Sequence, residues 1–259
     1  MLMLADFIMP FTLFCSAVIS LFSGICFIAR KETFGTMIFA LSWFVSLTVV
    51  IINGVVSESI PLGNMYHVMA FIPVCLFPLY FIFRKKIGVM PVSSSFAFIS
   101  TLITIGAFFM RRNIYWRRPP ALQSPWFIPH VTTYLIAYSL AFIAFVSLLS
   151  AISVACRRKD PTVYDKASFL LVNCLFPFMT FGLCSGAIWA DAAWGSYWSW
   201  DSKETWSLIM WIFYFIYLQI PPRRIIIART IHLFAFASLL VTFIFINLIP
   251  RLASALHGY

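Results

Sequence analysis

The sequence predicts an all-α integral membrane protein, a polytopic bundle of about eight transmembrane helices with both termini on the external (periplasmic or lumenal) face. Three observations carry that expectation. Of the 259 residues 62% are apolar or aromatic and only 10% are charged, against roughly a half and a quarter in a soluble domain. The charges are gathered between long charge-free runs, each about the length of a membrane crossing. The alternating segments of about ten residues that build a membrane barrel are missing. A mean hydropathy of +0.96 also excludes intrinsic disorder, which requires few apolar residues and many charges.

The charge-free runs cover approximately 7–29, 34–52, 66–83, 87–109, 131–154, 167–190, 206–222 and 231–249. Lipid offers no partner to an open backbone group, so each run is expected to be helical. At about 20 residues per crossing plus connections, the eight account for the chain as a single transmembrane domain over 1–259, with no separate soluble domain. The first run is read as a retained helix whose N-terminus lies outside. Met1 to Asp6 carry no Lys or Arg, whereas Arg30 and Lys31 follow the apolar stretch, the reverse of a secretory signal.

The formal net charge is +10, but in a membrane protein the placement of each charge matters more than the sum, and no nucleic-acid partner is expected. Sorted into alternate loops, twelve of the 18 basic residues fall on one side, from Arg30 and Lys31 through Arg84–Lys86, Arg157–Lys159 and Lys166 to Arg223, Arg224 and Arg229. Six fall on the other: Arg111, Arg112, Arg117, Arg118, Lys203 and Arg251. The richer side should be cytoplasmic or its equivalent. The six cysteines lie inside or at the edge of apolar runs with no CxxC pair, which points to small buried apolar residues rather than a disulfide framework or zinc site.

The spans contain no Asp, Glu, Lys or Arg, which argues against an ion-coupled transporter and moves any chemistry to the faces. On the external face Arg111-Arg112 and Arg117-Arg118 crowd one loop beside Pro119-Pro120. They would suit an anionic group, or lipid phosphates, or pairing with Glu58, Asp191 and Glu204. Six of nine tryptophans fall between 189 and 211. The core of this loop, about 189–206, reads Trp194-Gly195-Ser196-Tyr197-Trp198-Ser199-Trp200-Asp201-Ser202-Lys203-Glu204-Thr205-Trp206. If helical, it would place Trp194, Tyr197, Trp198 and Asp201 on one face, and Trp200 and Glu204 on another. An interfacial aromatic belt is the plain alternative, although a belt is spread over all helix ends rather than gathered in one connection.

A flat macrocycle bearing two carboxylates and a metal needs an aromatic floor, cations and axial ligands. The external face offers all three, because two of the four histidines, His130 and His257, flank the tryptophan loop there.

At these residues the chain resembles the CcsA/ResC family of cytochrome c assembly proteins. The resemblance rests on the WGxxWxWD-type signature at Trp194–Asp201 and its Lys203-Glu204-Thr205-Trp206 tail. It rests also on Pro61-Leu62-Gly63-Asn64-Met65-Tyr66, on Leu122-Gln123-Ser124 with His130-Val131, and on Leu256-His257-Gly258-Tyr259. It covers most of the chain, and the tail favours CcsA over the related haem-delivery protein CcmC. The resemblance implies that haem b, as a bound substrate, rests on Trp194, Tyr197, Trp198, Trp200 and Asp201. His130 and His257 would be its axial ligands, and Arg117 and Arg118 would face its carboxylates. It implies presentation of haem to apocytochrome c, whose CxxCH thiols add to the vinyl groups, in a cytochrome c synthase with a CcsB/ResB-type membrane partner. The host would be a bacterial inner membrane or a plastid thylakoid. Haem export, or CcmC-like delivery without a part in ligation, is the alternative. Members commonly carry a further histidine in the span after the signature, where this chain has Gln219. His232 lies more than three turns further on, His67 stands where an acidic residue is expected and is read as structural, and Ser202 replaces the usual proline.

Overall fold

The computed structural model describes residues 2–87, 92–110 and 120–248. Among them there is no strand, and every predicted run falls on a helix. The chain forms two compact units, residues 1–118 and 119–259.

The first unit holds α1 (Leu2–Ile28), α2 (Glu32–Ser57), α3 (Met65–Ile87) and α4 (Ser93–Phe109). Apolar surface cannot drive helix association in lipid, so these helices meet through small residues and hydrogen bonds. Ser16 on α1 faces Ser46 of α2 at 2.7 Å, Ser20 meets Thr101 of α4 at 2.8 Å, and Ser23 donates to the Gly35 carbonyl at 2.8 Å. Tyr80 of α3, fully buried, reaches Thr36 at 2.7 Å, and Arg84 donates to the same hydroxyl at 2.9 Å.

The second unit begins with a 3-10 turn, Pro120–Gln123, followed by α5 (Phe127–Cys156), α6 (Thr162–Trp194), α7 (Ser202–Gln219) and α8 (Ile225–Leu240). A π turn at Val241–Phe245 carries α8 on into Ile246–Leu248. The wider turn shifts the side-chain register and is where Phe243 packs against Tyr138 and Phe142. α5 and α6 are antiparallel neighbours along most of their length, and Phe145 stacks on Phe236 of α8 at 3.8 Å.

Among the described residues, six helical stretches are long and apolar enough to cross a membrane: Ile8–Ile28, Glu32–Ser57, Met65–Arg84, Phe127–Cys156, Thr162–Trp194 and Pro222–Phe245. The chain is thus an all-α polytopic membrane protein. Of the two other predicted spans, Ser93–Phe109 is apolar but shorter, and Ser202–Gln219 carries Lys203 and Glu204 in its first turn.

Two expectations change. Of the six cysteines only Cys26 is buried, and Cys156 and Cys184 are exposed on helix surfaces, where in a bilayer the surroundings are apolar without being protein. Arg229, expected in a loop, lies inside α8, where it forms a bidentate pair with Asp165 of α6 at 3.0 and 2.7 Å. A forked pair of this kind lets both charges sit near apolar surface.

Candidate functional site: a histidine cradle beside a tryptophan loop

The site is built in the second unit, where the start of α5 meets the end of α6. On α6, Gly182 and Gly186 stand four residues apart and therefore one above the other. On α5, His130 and Tyr134 have the same spacing. The two pairs interlock: a Cβ at Gly182 would come within 2.8 Å of the Tyr134 ring, and one at Gly186 within 2.6 Å of His130 Cε1 and Nδ1. Only glycine admits the rings this close.

His130 is half-buried, and its Nδ1 lies 2.8 Å from the Gly182 carbonyl oxygen. A carbonyl only accepts, so the Nδ1 of His130 is the donor in this contact. The ring stacks on Trp189 at 5.4 Å and 29° and meets Tyr134 edge-on at 5.1 Å. Trp189 is itself held: it is 2% exposed, and its indole N–H donates to the Ala121 carbonyl at 2.8 Å. Leu122, fully buried, anchors that same 3-10 turn. Trp194 packs edge-on against Trp189 at 4.9 Å, so one ring separates His130 from the start of the tryptophan loop.

The loop is not helical, which corrects the helical-face expectation. α6 ends at Trp194, where Gly195 takes the left-handed conformation, φ 73°, and α7 starts at Ser202 with Asp201 as its N-cap. Asp201 Oδ1 accepts the Glu204 N–H at 2.8 Å, and Glu204 Oε2 accepts from Ser199 N–H at 2.7 Å, Ser199 Oγ at 3.1 Å and Asp201 N–H at 3.4 Å. This is a capping box, and it sets residues 196–201 apart as an irregular segment. Ser196 Oγ donates to the Trp198 carbonyl and Thr205 Oγ1 to that of Trp200.

Trp200 has a φ of 59°, a conformation a bulky side chain rarely adopts. Its indole is 69% exposed and the Tyr197 ring 61% exposed, while Trp198 is half-buried and meets Trp200 edge-on at 5.9 Å. The Trp198 indole N–H is buried with no acceptor among the described residues. Burial pushes the Lys203 ammonium down to about 8, against the opposing pull of Asp201.

The structure thus brings His130, Trp194, Tyr197, Trp198, Trp200 and Asp201 to one end of the second unit. His257, Arg117 and Arg118 lie outside the described residues. Asp201 and Glu204 act as caps, and Trp211 serves packing, donating to Thr180 at 2.9 Å. Reading the sequence alone does not single out Gly182, Gly186 or Trp189 as functional residues, although Gly182-xxx-Gly186 is a legible small-xxx-small pattern. Gln219 ends α7. His232 is fully buried, with Nδ1 3.1 Å from Ser168 Oγ and its ring against Tyr214 and Tyr217. His67 is 1% exposed at the start of α3, where its backbone N–H is capped by Asn64 at 2.8 Å. Among the described residues no group of three or more His, Cys, Asp or Glu could hold a metal ion.

Comparison with known proteins shows the family. The family described as cytochrome C assembly protein matches residues 62–253. A cytochrome c biogenesis protein CcsA from Mesostigma viride is 30% identical over 263 residues, 88% of this chain and 86% of that protein. The CcsA of Chlamydomonas reinhardtii is 36% identical over 177 residues, 63% of this chain, and the match spans half of that longer relative. The CcsA of Gloeobacter violaceus is 27% identical over 274 residues, 78% of this chain and 79% of that protein. With three quarters of its length inside the family match and both the histidine cradle and the tryptophan loop within that stretch, the chain belongs to the cytochrome c assembly protein family.

Proposed function

We propose that the chain is the haem-presenting subunit of a cytochrome c synthase, holding haem b as a bound substrate at the external membrane face for covalent attachment to apocytochrome c. The pose of His130 carries this reading: with Nδ1 given to the Gly182 carbonyl at 2.8 Å, Nε2 is the nitrogen a metal would take, at the end of the unit where the tryptophan loop emerges. The residues present fit a macrocycle. Trp200 and Tyr197 offer exposed aromatic faces, and Trp198 offers a buried N–H that no described residue accepts, a donor suited to a carboxylate. On the sequence resemblance, His257 supplies the second axial imidazole, and Arg117 and Arg118 pair with the propionates.

Bound haem supplies two vinyl groups, across each of which one apocytochrome cysteine S–H adds, the sulfur to one carbon and the hydrogen to the other. No atom leaves and no protein nucleophile is needed. The chain's residues act by placement: His130 fixes the metal's position, the indoles fix the macrocycle plane, and the capping box fixes the indoles. A CcsB/ResB-type membrane protein is the expected partner. The membrane is a bacterial inner membrane or a plastid thylakoid, in keeping with relatives from Chlamydomonas, Mesostigma and Gloeobacter.

The purified protein should show the absorbance of low-spin haem when reduced, and His130→Ala or His257→Ala should diminish it and lower cytochrome c maturation in cells. Retention of low-spin haem and full maturation by both variants would remove the basis of the proposal.

A further inference from the structure

We propose that Gly182, Gly186 and Trp189 form a dedicated cradle that sets the tautomer and ring plane of His130, making them positioning residues for haem. The inference rests on the haem reading above and adds to it a reason why the imidazole is competent before haem arrives.

The argument begins with the helix. A helical carbonyl points toward the residue four positions on, and a side chain there normally covers it. At Gly186 there is none, so the Gly182 oxygen is open from the side and receives His130 Nδ1 at 2.8 Å while also accepting Ser185 Oγ at 3.2 Å. A glycine pair alone would be ordinary helix packing. Two further observations separate this pair from packing. The group seated over Gly186 is an imidazole whose protonated nitrogen is fixed by its acceptor. Its plane is also fixed, by stacking within 29° of Trp189, and that indole is pinned through Ala121. A ring held at one nitrogen by a backbone carbonyl presents the other nitrogen as a more basic ligand in a defined direction, and loss of such a partner typically costs about 10–100-fold in metal affinity.

The experiment compares wild type with His130→Ala, Gly186→Ala, Trp189→Phe and Trp189→Leu, each as the full chain in detergent. Haem affinity and spin state are read from absorbance, with and without added imidazole, and the His130 tautomer of the haem-free protein from 15N NMR. Expected results are an Nδ1-protonated His130 and about 10–100-fold weaker haem binding in Gly186→Ala and Trp189→Leu, with a rise in high-spin haem. Added imidazole should restore the low-spin spectrum in these variants, and Trp189→Phe should lose less than Trp189→Leu. A purely structural role would leave damage that imidazole does not repair.

If His130→Ala loses haem while Gly186→Ala and Trp189→Leu bind as wild type, the cradle is overturned and the haem reading stands. If His130→Ala itself binds as wild type, His130 is not a ligand and the cradle has no purpose, and the haem reading falls too if His257→Ala also binds as wild type. An Nε2-protonated His130 in the haem-free protein also overturns the cradle. Should Gly186→Ala fail to fold, the two Trp189 variants and the tautomer decide the question.

Discussion

Glu204, in the first turn of α7, reaches back to accept the Ser199 backbone N–H at 2.7 Å. The same oxygen lies 3.4 Å from the Asp201 N–H, so one carboxylate brackets Trp200, whose φ of 59° is the strained point of the loop. A left-handed conformation costs an ordinary residue roughly 1–2 kcal/mol. Hydrogen bonds to a charged acceptor contribute about 1.5–3 kcal/mol each, and although the Ser199 bond faces solvent and the Asp201 bond is long, the two together offset that cost.

Glu204→Ala should therefore release the loop as well as uncap the helix. Thermal unfolding should show a loss of about 1–2 kcal/mol, and haem retention should fall further than in Asp201→Ala, which removes the acceptor for Glu204 N–H but leaves the Ser199 bond. Wild-type haem affinity in a destabilised Glu204→Ala protein would mean that the loop conformation is not needed for binding.

Trp200→Gly separates strain from use. Glycine adopts positive φ without a steric penalty, so the variant should be as stable as wild type or more so, by up to about 1 kcal/mol. Its haem affinity should drop because an exposed aromatic face is gone. Equal loss of stability and affinity would show that the Trp200 indole is part of the fold rather than a platform.

The helices are legible in the sequence because their spans carry no charge and lipid leaves the backbone one way to satisfy itself. Their ends are less so: Asp165 and Arg229 neutralise each other inside α6 and α8, and a charge count cannot foresee a pair 64 residues apart. The loop's irregular shape is legible in principle, since Asp201-x-x-Glu204 is a helix-start signature and Gly195 a helix-stop signature; a single helical face over 194–201 overlooks both. Composition cannot separate Trp189 and Trp211 from Trp198 and Trp200. What distinguishes them is an acceptor, Ala121 for one and Thr180 for the other, and those lie 68 and 31 residues away.

Trp198→Phe tests the buried indole N–H. Because no described residue accepts it, its removal breaks no hydrogen bond and relieves a desolvated donor, a burden of about 1–3 kcal/mol for a buried polar group. Stability should be unchanged or higher. Affinity for haem should fall, and the difference from wild type should shrink with haem whose propionates are esterified, since an ester is a poorer acceptor than a carboxylate. The same deficit with free and esterified haem would direct the N–H to some other acceptor.

Lys203 gives the pH dependence. Burial holds its ammonium down at about 8 in the folded protein, below the ordinary 10.5. Between these values the unfolded chain binds the proton more fully than the folded one, so stability rises with pH across that interval. Below about 8 both states are protonated, and the folded state bears the whole desolvation cost of the charge. Lys203→Met removes that cost at low pH and has progressively less to remove as the folded lysine loses its proton. The variant's gain in thermal midpoint over wild type should therefore be greatest below pH 8 and should decline between pH 8 and 10.5. A gain that stays constant across that interval would mean the substitution acts through packing at the start of α7 and that Lys203 titrates alike in both states.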